Sequence, residues 1–256
     1  MAQEFTRRLA LGQLGALGAA SVLGPRFALA AAQAPEESSV CLSMIYGRTA
    51  KFESDRFRDK HLPLLRRIYG DSLERIEMRH APRPSKDLPP APVVASVSLW
   101  IRDLKAFGSI TQQSGAEIVA DLAKVTTDHP HVQYDQAIAV LGDARDSITV
   151  GTDCTTYYYP NGENVRWDAK QYVEGYLPQM LDAYGKDSFR RIEVCRGLTA
   201  QGGGSSDFAG SVTLYHRDID AFTRAGMKAG AKLMPEALKA TDIRPVPATL
   251  ILRAAG

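Results

Sequence analysis

The sequence predicts an α+β fold: two fused βαββαβ repeats packed sheet to sheet as a barrel. Three observations carry that prediction. The stretch 52–64, FESDRFRDKHLPL, recurs at 167–179 as WDAKQYVEGYLPQ. The recurrence keeps its order over most of the chain: Cys41 with Cys154, Tyr46 with Tyr159, Gly70 with Gly185, Arg75-Ile76-Glu77 with Arg191-Ile192-Glu193, and the run 102–107 with 217–222. Ordered matches of this kind mark duplication of one structural unit. The third strand of each repeat alternates, with Ala95, Val97 and Leu99 opposed to Ser96, Ser98 and Trp100, and Val212 and Leu214 opposed to Ser211, Thr213 and Tyr215.

Each repeat opens with a strand (40–46; 154–159). An amphipathic helix follows (about 54–69; 169–184), and Gly70 and Gly185 stand where a helix C-cap belongs. Pro63 and Pro178 fall inside that helix. Proline has no N–H, so the carbonyls of Asp59 and Glu174 lose their usual partners and a kink is expected. A second strand (73–80; 189–196) leads into a loop, Pro-rich over 82–92 and Gly/Ser-rich over 202–206. After the third strand, Asp103 and Asp218 are placed to cap a second helix. A fourth strand (134–141; 248–252) closes each unit. The chain thus divides into repeat 1 over 40–140, a linker over 141–152 with Gly142 and Gly151, and repeat 2 over 153–253. The order βαββαβ is the ferredoxin-like unit. Two helices cover only one face of its sheet, so the Ser/Thr/Trp/Tyr face needs a second sheet. Fusion supplies one within the chain, which is expected to be a monomer with an internal pseudo-dimer, or a homodimer.

Residues 1–34 read as an address, not as fold. Arg7-Arg8 precede a short Gly/Ala/Leu-rich run, then Pro25, Arg26 and an A-x-A-type end at 32–34. That order is a signal peptide, and the paired arginines resemble a twin-arginine export signal, placing the mature protein in the periplasm. The apolar run is too short and glycine-rich to span a membrane comfortably, so no stable span remains after processing. The three cysteines, Cys41, Cys154 and Cys195, have no metal-type spacing and read as buried free thiols.

The chain has 31 basic and 29 acidic residues; without Arg7, Arg8, Arg26 and Glu4 it has 28 of each. Such a balance gives no electrostatic case for nucleic acid. Gly202-Gly203-Gly204 has no following helix with Lys-Ser/Thr and is not a phosphate loop. No G-x-G-x-x-G or G-x-S-x-G motif is present, which leaves a nucleotide cofactor and a serine triad without support.

In Phe-x-x-Asp-x-Phe-x-x-x-His-x-Pro at 52–63, Arg-Ile-Glu at 75–77, and a third strand ending in Trp100 before 103–107, the chain resembles the EthD family of dimeric α/β-barrel proteins. The resemblance covers most of 40–140, with a weaker copy in 153–252. It implies a small-molecule enzyme or accessory factor of oxidoreductase type, associated with oxidation of ethers and with aromatic tailoring. The residue it carries over is His61. The second repeat departs from the pattern with Tyr176 at that place, which argues against two identical sites.

His61 is the candidate catalytic residue: a neutral imidazole beside a cavity suits proton transfer near neutral pH. Its structural alternative is a histidine that satisfies the proline kink. Glu77 and Glu193, flanked by Arg75, Arg79, Arg191 and Arg196, read as ion-paired across strands, with Glu77 also a candidate to orient His61. Tyr46, Trp100, Tyr159, Tyr176 and Tyr215 are candidate contacts for a small hydrophobic, aromatic or oxygenated ligand, or ordinary strand and helix aromatics. His129-Pro-His131 has two imidazoles but no third ligand in view, and a solvated loop is favoured over a metal. No cofactor is expected. Haem is the alternative, because related barrels bind it, although the chain lacks a Gly-x-x-Asp-Gly motif.

Overall fold

The computed structural model describes residues 37–256 except 49 and 83–90. The expected export signal at 1–34 lies outside the described residues. Eight strands form one closed antiparallel barrel: β1 (Val40–Gly47), β2 (Leu73–His80), β3 (Val93–Ile101), β4 (His131–Gly142), β5 (Asp153–Pro160), β6 (Phe189–Ala200), β7 (Phe208–His216) and β8 (Val246–Ala255). Around the barrel the order is β1-β3-β2-β8-β5-β7-β6-β4. Each half keeps its own four-stranded sheet, β4-β1-β3-β2 and β8-β5-β7-β6. The halves meet at their edges as well as across the interior. β4 pairs with β6 from Gln133↔Ala200 to Gly142↔Arg191, and β2 pairs with β8 from Glu77↔Ala255 to His80↔Ile251. Every described strand therefore has two neighbours, which removes the unpaired edges that invite aggregation.

Among the described residues, four helices cover the outside. Helix α1 comprises Ser54–Arg56, a π-helical turn at Phe57–His61, and Leu62–Tyr69. Its repeat partner α3 has the same three pieces: Ala169–Gln171, Tyr172–Tyr176 and Leu177–Tyr184. Helices α2 (Leu104–Leu122) and α4 (Ile219–Ala240) start as the sequence predicts, with Asp103 and Asp218 each accepting a backbone N–H. Gly70 and Gly185 end α1 and α3 at φ of 49° and 83°, where a side chain would be strained.

The expected proline kink takes a specific form. Leu62 N–H donates to Phe57 O, and Leu177 N–H donates to Tyr172 O. These are five-residue steps. The helix widens by one residue ahead of each proline instead of breaking, a local form that recurs at functional sites.

The alternation of the strands sorts side chains between two environments. Leu42, Met44, Tyr46, Ile76, Met78, Val97 and Leu99 pack outward against α1 and α2 with Phe57, Leu65 and Phe107. Val194, Val212 and Leu214 do the same against α3 and α4. Burying such a side chain contributes about 1.5–3 kcal/mol, so these layers hold the helices on the barrel. The opposite strand faces point inward: Arg75, Glu77 and Arg79 on β2, Ser96, Ser98 and Trp100 on β3, Ser211, Thr213 and Tyr215 on β7. The 141–152 segment is not only a connection. A single 3-10 turn, Arg145–Ser147, sends the fully buried Arg145 side chain into the barrel.

Candidate active site

The π-turn of α1 fixes His61. Widening the helix at Phe57–His61 turns the imidazole toward the end of α2, and the side chain is 1% exposed. Its Nδ1 lies 2.9 Å from Asp121 Oδ2, in the last turn of α2. Lys124 Nζ stands 3.3 Å from the other carboxylate oxygen. The neighbours His61 and Lys124 hold Asp121 below the usual carboxylate range, so it is ionised and accepts. The shared proton is then on Nδ1, and Nε2 carries the basic lone pair. Burial lowers the His61 pKa against the opposing pull of Asp121, so the ring is neutral at pH 7. No described residue hydrogen-bonds Nε2. Aromatic rings run away from this pair: Phe57 at 5.3 Å from His61, Phe52 at 5.8 Å from Phe57, and Tyr46 at 4.8 Å from Phe52. The Tyr46 hydroxyl is buried without a partner among the described residues, and burial raises its pKa.

The second repeat keeps the framework and changes the chemistry. Tyr176 occupies the position of His61 and packs at 5.0 Å on Tyr172. Glu236 occupies the position of Asp121 and accepts from Gln171 Nε2 at 2.8 Å. Lys239 repeats Lys124, 2.6 Å from Glu236. Tyr159 stacks on Trp167 at 4.1 Å. Trp167 is accommodated because a Cβ at Gly210 would lie 2.4 Å from its Nε1; the equivalent position in repeat 1 is Ala95, where the matching ring is the smaller Phe52.

The six residues singled out by sequence do not share one pocket. His61 and Tyr46 belong to the layer under α1 and α2, and Tyr159 and Tyr176 to the layer under α3 and α4. Trp100 and Tyr215 face the barrel interior. There the Arg145 guanidinium lies over the Trp100 ring, 3.6 Å from its centroid, and Tyr215 Oη donates to Glu77 Oε2 at 2.7 Å. Glu77 also accepts from Arg75 Nε at 2.9 Å. It is inside the barrel, on the far side of β2 from α1, so it does not orient His61. Asp121 does. Around Glu193, Arg145 Nε at 3.2 Å and Arg191 Nε at 2.7 Å complete a buried cluster, and their charges hold its carboxyl low against burial.

His131 is exposed and pairs with Asp207 at 2.9 Å. Among the described residues no three His, Cys, Asp or Glu side chains are grouped to hold a metal ion. Cys41, Cys154 and Cys195 are free and buried, and burial raises all three thiols. No described helix is long and apolar enough to cross a membrane.

The barrel interior has about 20 Å³ open to the centre of a water molecule. That is room for one or two waters and excludes an aromatic substrate or haem from this space. Haem therefore does not fit the interior.

No protein-family model and no curated protein matches the chain. Solved structures do. An EthD-like protein from Ralstonia eutropha JMP134 aligns at 22% identity over 40% of this chain and 91% of its own, with a TM-score of 0.37. An anthrone oxidase-like protein aligns at 11% identity over 89% of this chain and 95% of its own, with a TM-score of 0.52. A protein from Fusobacterium nucleatum, provisionally named a monooxygenase, aligns at 10% identity over 86% and 95%, with a TM-score of 0.53. The latter two run almost the whole length of both chains, both repeats included. With the closed eight-stranded ring and its four covering helices, they identify the fold: this chain is a dimeric α/β barrel built within one polypeptide.

Proposed function

We propose that this protein is an EthD-like acid–base enzyme of oxidoreductase type, acting on a small hydrophobic aromatic or oxygenated molecule. The observation that carries this reading is the His61–Asp121 pair. A neutral imidazole whose Nδ1–H is held by a carboxylate keeps its basic lone pair on Nε2, and this ring, 1% exposed, can act as a general base where the packing over it opens to admit substrate. His61 takes a proton from an acidic O–H or C–H of the substrate at Nε2. Asp121 then stabilises the imidazolium by a charge-assisted hydrogen bond. The anion left on the substrate is the electron-rich form that dioxygen oxidises, the electrons passing to O2 as it is reduced to peroxide or water. The fold neighbours named for anthrone oxidation and monooxygenation support the oxidoreductase reading at the level of fold. Arg7-Arg8 and the segment after them support export to the periplasm.

One observation favours a second reading, a binding or accessory protein. In repeat 2 the matching carboxylate, Glu236, ties α4 to α3 through Gln171 with no histidine involved. Asp121–His61 is then the same strut with different ends. The two readings separate in one experiment. Hydroxylated polycyclic aromatics are screened in air, with oxygen uptake and binding both followed, against the wild type, His61→Ala and Asp121→Asn. A base at His61 predicts loss of about 10²–10⁴ in rate for His61→Ala with ligand affinity retained. Binding without turnover in all three proteins would establish the accessory reading instead.

A further inference from the structure

Four arginines reach into the barrel, and one differs from the rest. Arg75 has Glu77 at 2.9 Å, Arg145 has Glu74 at 2.6 Å, and Arg191 has Glu193 at 2.7 Å. Arg79 is only 5% exposed and makes no ion pair with any described residue. Its Nη1 donates to Thr213 Oγ1 at 3.3 Å and its Nη2 to Ser98 Oγ. Its Nε–H has no acceptor among the described residues. Arginine does not escape by deprotonating, so a full positive charge is buried here with no carboxylate in contact, offset at a distance by Glu77, Glu193 and Asp135.

The space beside it is the small cavity at the centre of the barrel, which Arg79, Ser98 and Thr213 all line. Ser98 accepts from Arg79, which leaves its own O–H proton free to point elsewhere. Thr213 and Thr156 share a hydrogen bond at 3.1 Å. The cavity lining therefore joins N–H and O–H donors and a fixed cation with two carboxylates, Asp135 and Glu193. At about 20 Å³ the space suits something the size of a water or a halide. We infer that this cavity is a binding site for one small monovalent inorganic anion of halide size, held by the Arg79 guanidinium with Ser98 and Thr213.

The other charged groups around Arg79 are accounted for. Glu77 is satisfied by Arg75 and Tyr215, and Glu193 by Arg145 and Arg191. Cys41, Cys154, Cys195, Tyr158 and Tyr215 are all raised by burial and stay neutral. Asp135 remains. It lines the same cavity, accepts from Gln133 Nε2 at 2.6 Å, and burial pushes its pKa up to about 6. An ionised Asp135 repels an anion, and a protonated one does not. Binding is therefore coupled to proton uptake, and affinity falls up to about tenfold per pH unit above about 6.

The test uses the wild-type protein crystallised in sodium bromide at about pH 5 and about pH 8. The expected result is an anomalous bromide peak against the Arg79 guanidinium, stronger at the lower pH. Water density there at both pH values, with no anomalous signal, would overturn the inference. In solution, thermal unfolding is followed against chloride, with gluconate keeping ionic strength constant. Chloride-specific stabilisation is expected in the wild type, lost in Arg79→Met and reduced in Ser98→Ala. In Asp135→Asn it no longer depends on pH. Equal response to chloride and gluconate in the wild type would overturn the inference even with a bromide peak at crystal concentration. The wild-type measurements decide the matter if Arg79→Met does not fold.

Discussion

Replacing Arg145 with methionine keeps the length and apolar stem of the side chain and removes only the guanidinium. That group makes five contacts: 2.6 Å to Glu74, 3.2 Å to Glu193, 3.2 Å to the Ser38 carbonyl oxygen, 3.8 Å to Glu37, and the face of Trp100 at 3.6 Å. Breaking a buried ion pair by removing one partner costs about 3–5 kcal/mol, because the other charge is left behind. A desolvated cation–π contact adds about 2 kcal/mol. These contributions overlap, and Glu193 keeps Arg191 at 2.7 Å. The expected loss is about 4 kcal/mol. With a urea slope of about 3 kcal/mol per molar, the unfolding midpoint should fall by roughly 1.3 M. Trp100 is buried in the ring and reports the transition by fluorescence. Arg145→Lys keeps the charge but not the planar fork, and should recover about half the loss. A fall under about 1 kcal/mol in Arg145→Met would refute the reasoning. It would mean that water screens the barrel interior and that the charges there are not effectively buried.

Other outcomes follow from single positions. Gly210→Ala drives a methyl group into Trp167, 2.4 Å from Nε1, and should destabilise by about 1–3 kcal/mol in chemical denaturation; combining it with Trp167→Phe, the repeat 1 pairing, should recover part of that, because the methyl would still lie 2.9 Å from the Cys195 carbonyl oxygen. His216 packs 4.4 Å from Phe222, and burial holds its pKa down to about 4. The folded state thus resists a proton that the unfolded chain accepts below about 6.5. Stability from this residue is complete above that pH and lost as pH falls toward about 4, by about 3 kcal/mol in all. His216→Ile, which copies Ile101 of repeat 1, should flatten the pH dependence of denaturation over that window. Nitrogen-15 NMR of the wild type should show His61 as the Nδ1–H tautomer at pH 7, and Asp121→Asn should shift that equilibrium; an Nε2–H tautomer in the wild type would remove the basis for a general base.

Much of the fold can be read from the chain because its periods are clean. Ser96, Ser98 and Trp100 alternate with Val97 and Leu99, and that two-residue period assigns the inner and outer faces of β3 directly. Asp103, Asp218, Gly70 and Gly185 mark helix ends because few other residues suit a cap. The site is harder. His61 stands out by its motif, but its partner Asp121 lies sixty residues away in an ordinary helical stretch. One signal for it does exist: Asp121 and Lys124 recur as Glu236 and Lys239 at the repeat spacing, which shows a charged position kept through duplication. Arg145 had no such signal. It sits in a Gly- and Asp-containing segment that reads as linker, and only the closure of the barrel brings it to Glu74 and Glu193. Glu77 forms the expected ion pair with Arg75, and the alternative that it orients His61 falls for a related reason. Glu77 and His61 are near in sequence, but the strand pleat turns Glu77 to the opposite side of the sheet from α1.

The closed ring also bears on how such a protein changes over generations. When two identical subunits make a barrel, every substitution is made twice, and a residue that helps one side must be tolerated by the other. Here β2–β8 and β4–β6 complete the ring from one polypeptide, so each position has an independent counterpart. His61 and Tyr176, Asp121 and Glu236, and Trp100 and Tyr215 are such counterparts already separated. One half is free to hold a reactive group while the other specialises in holding the shape.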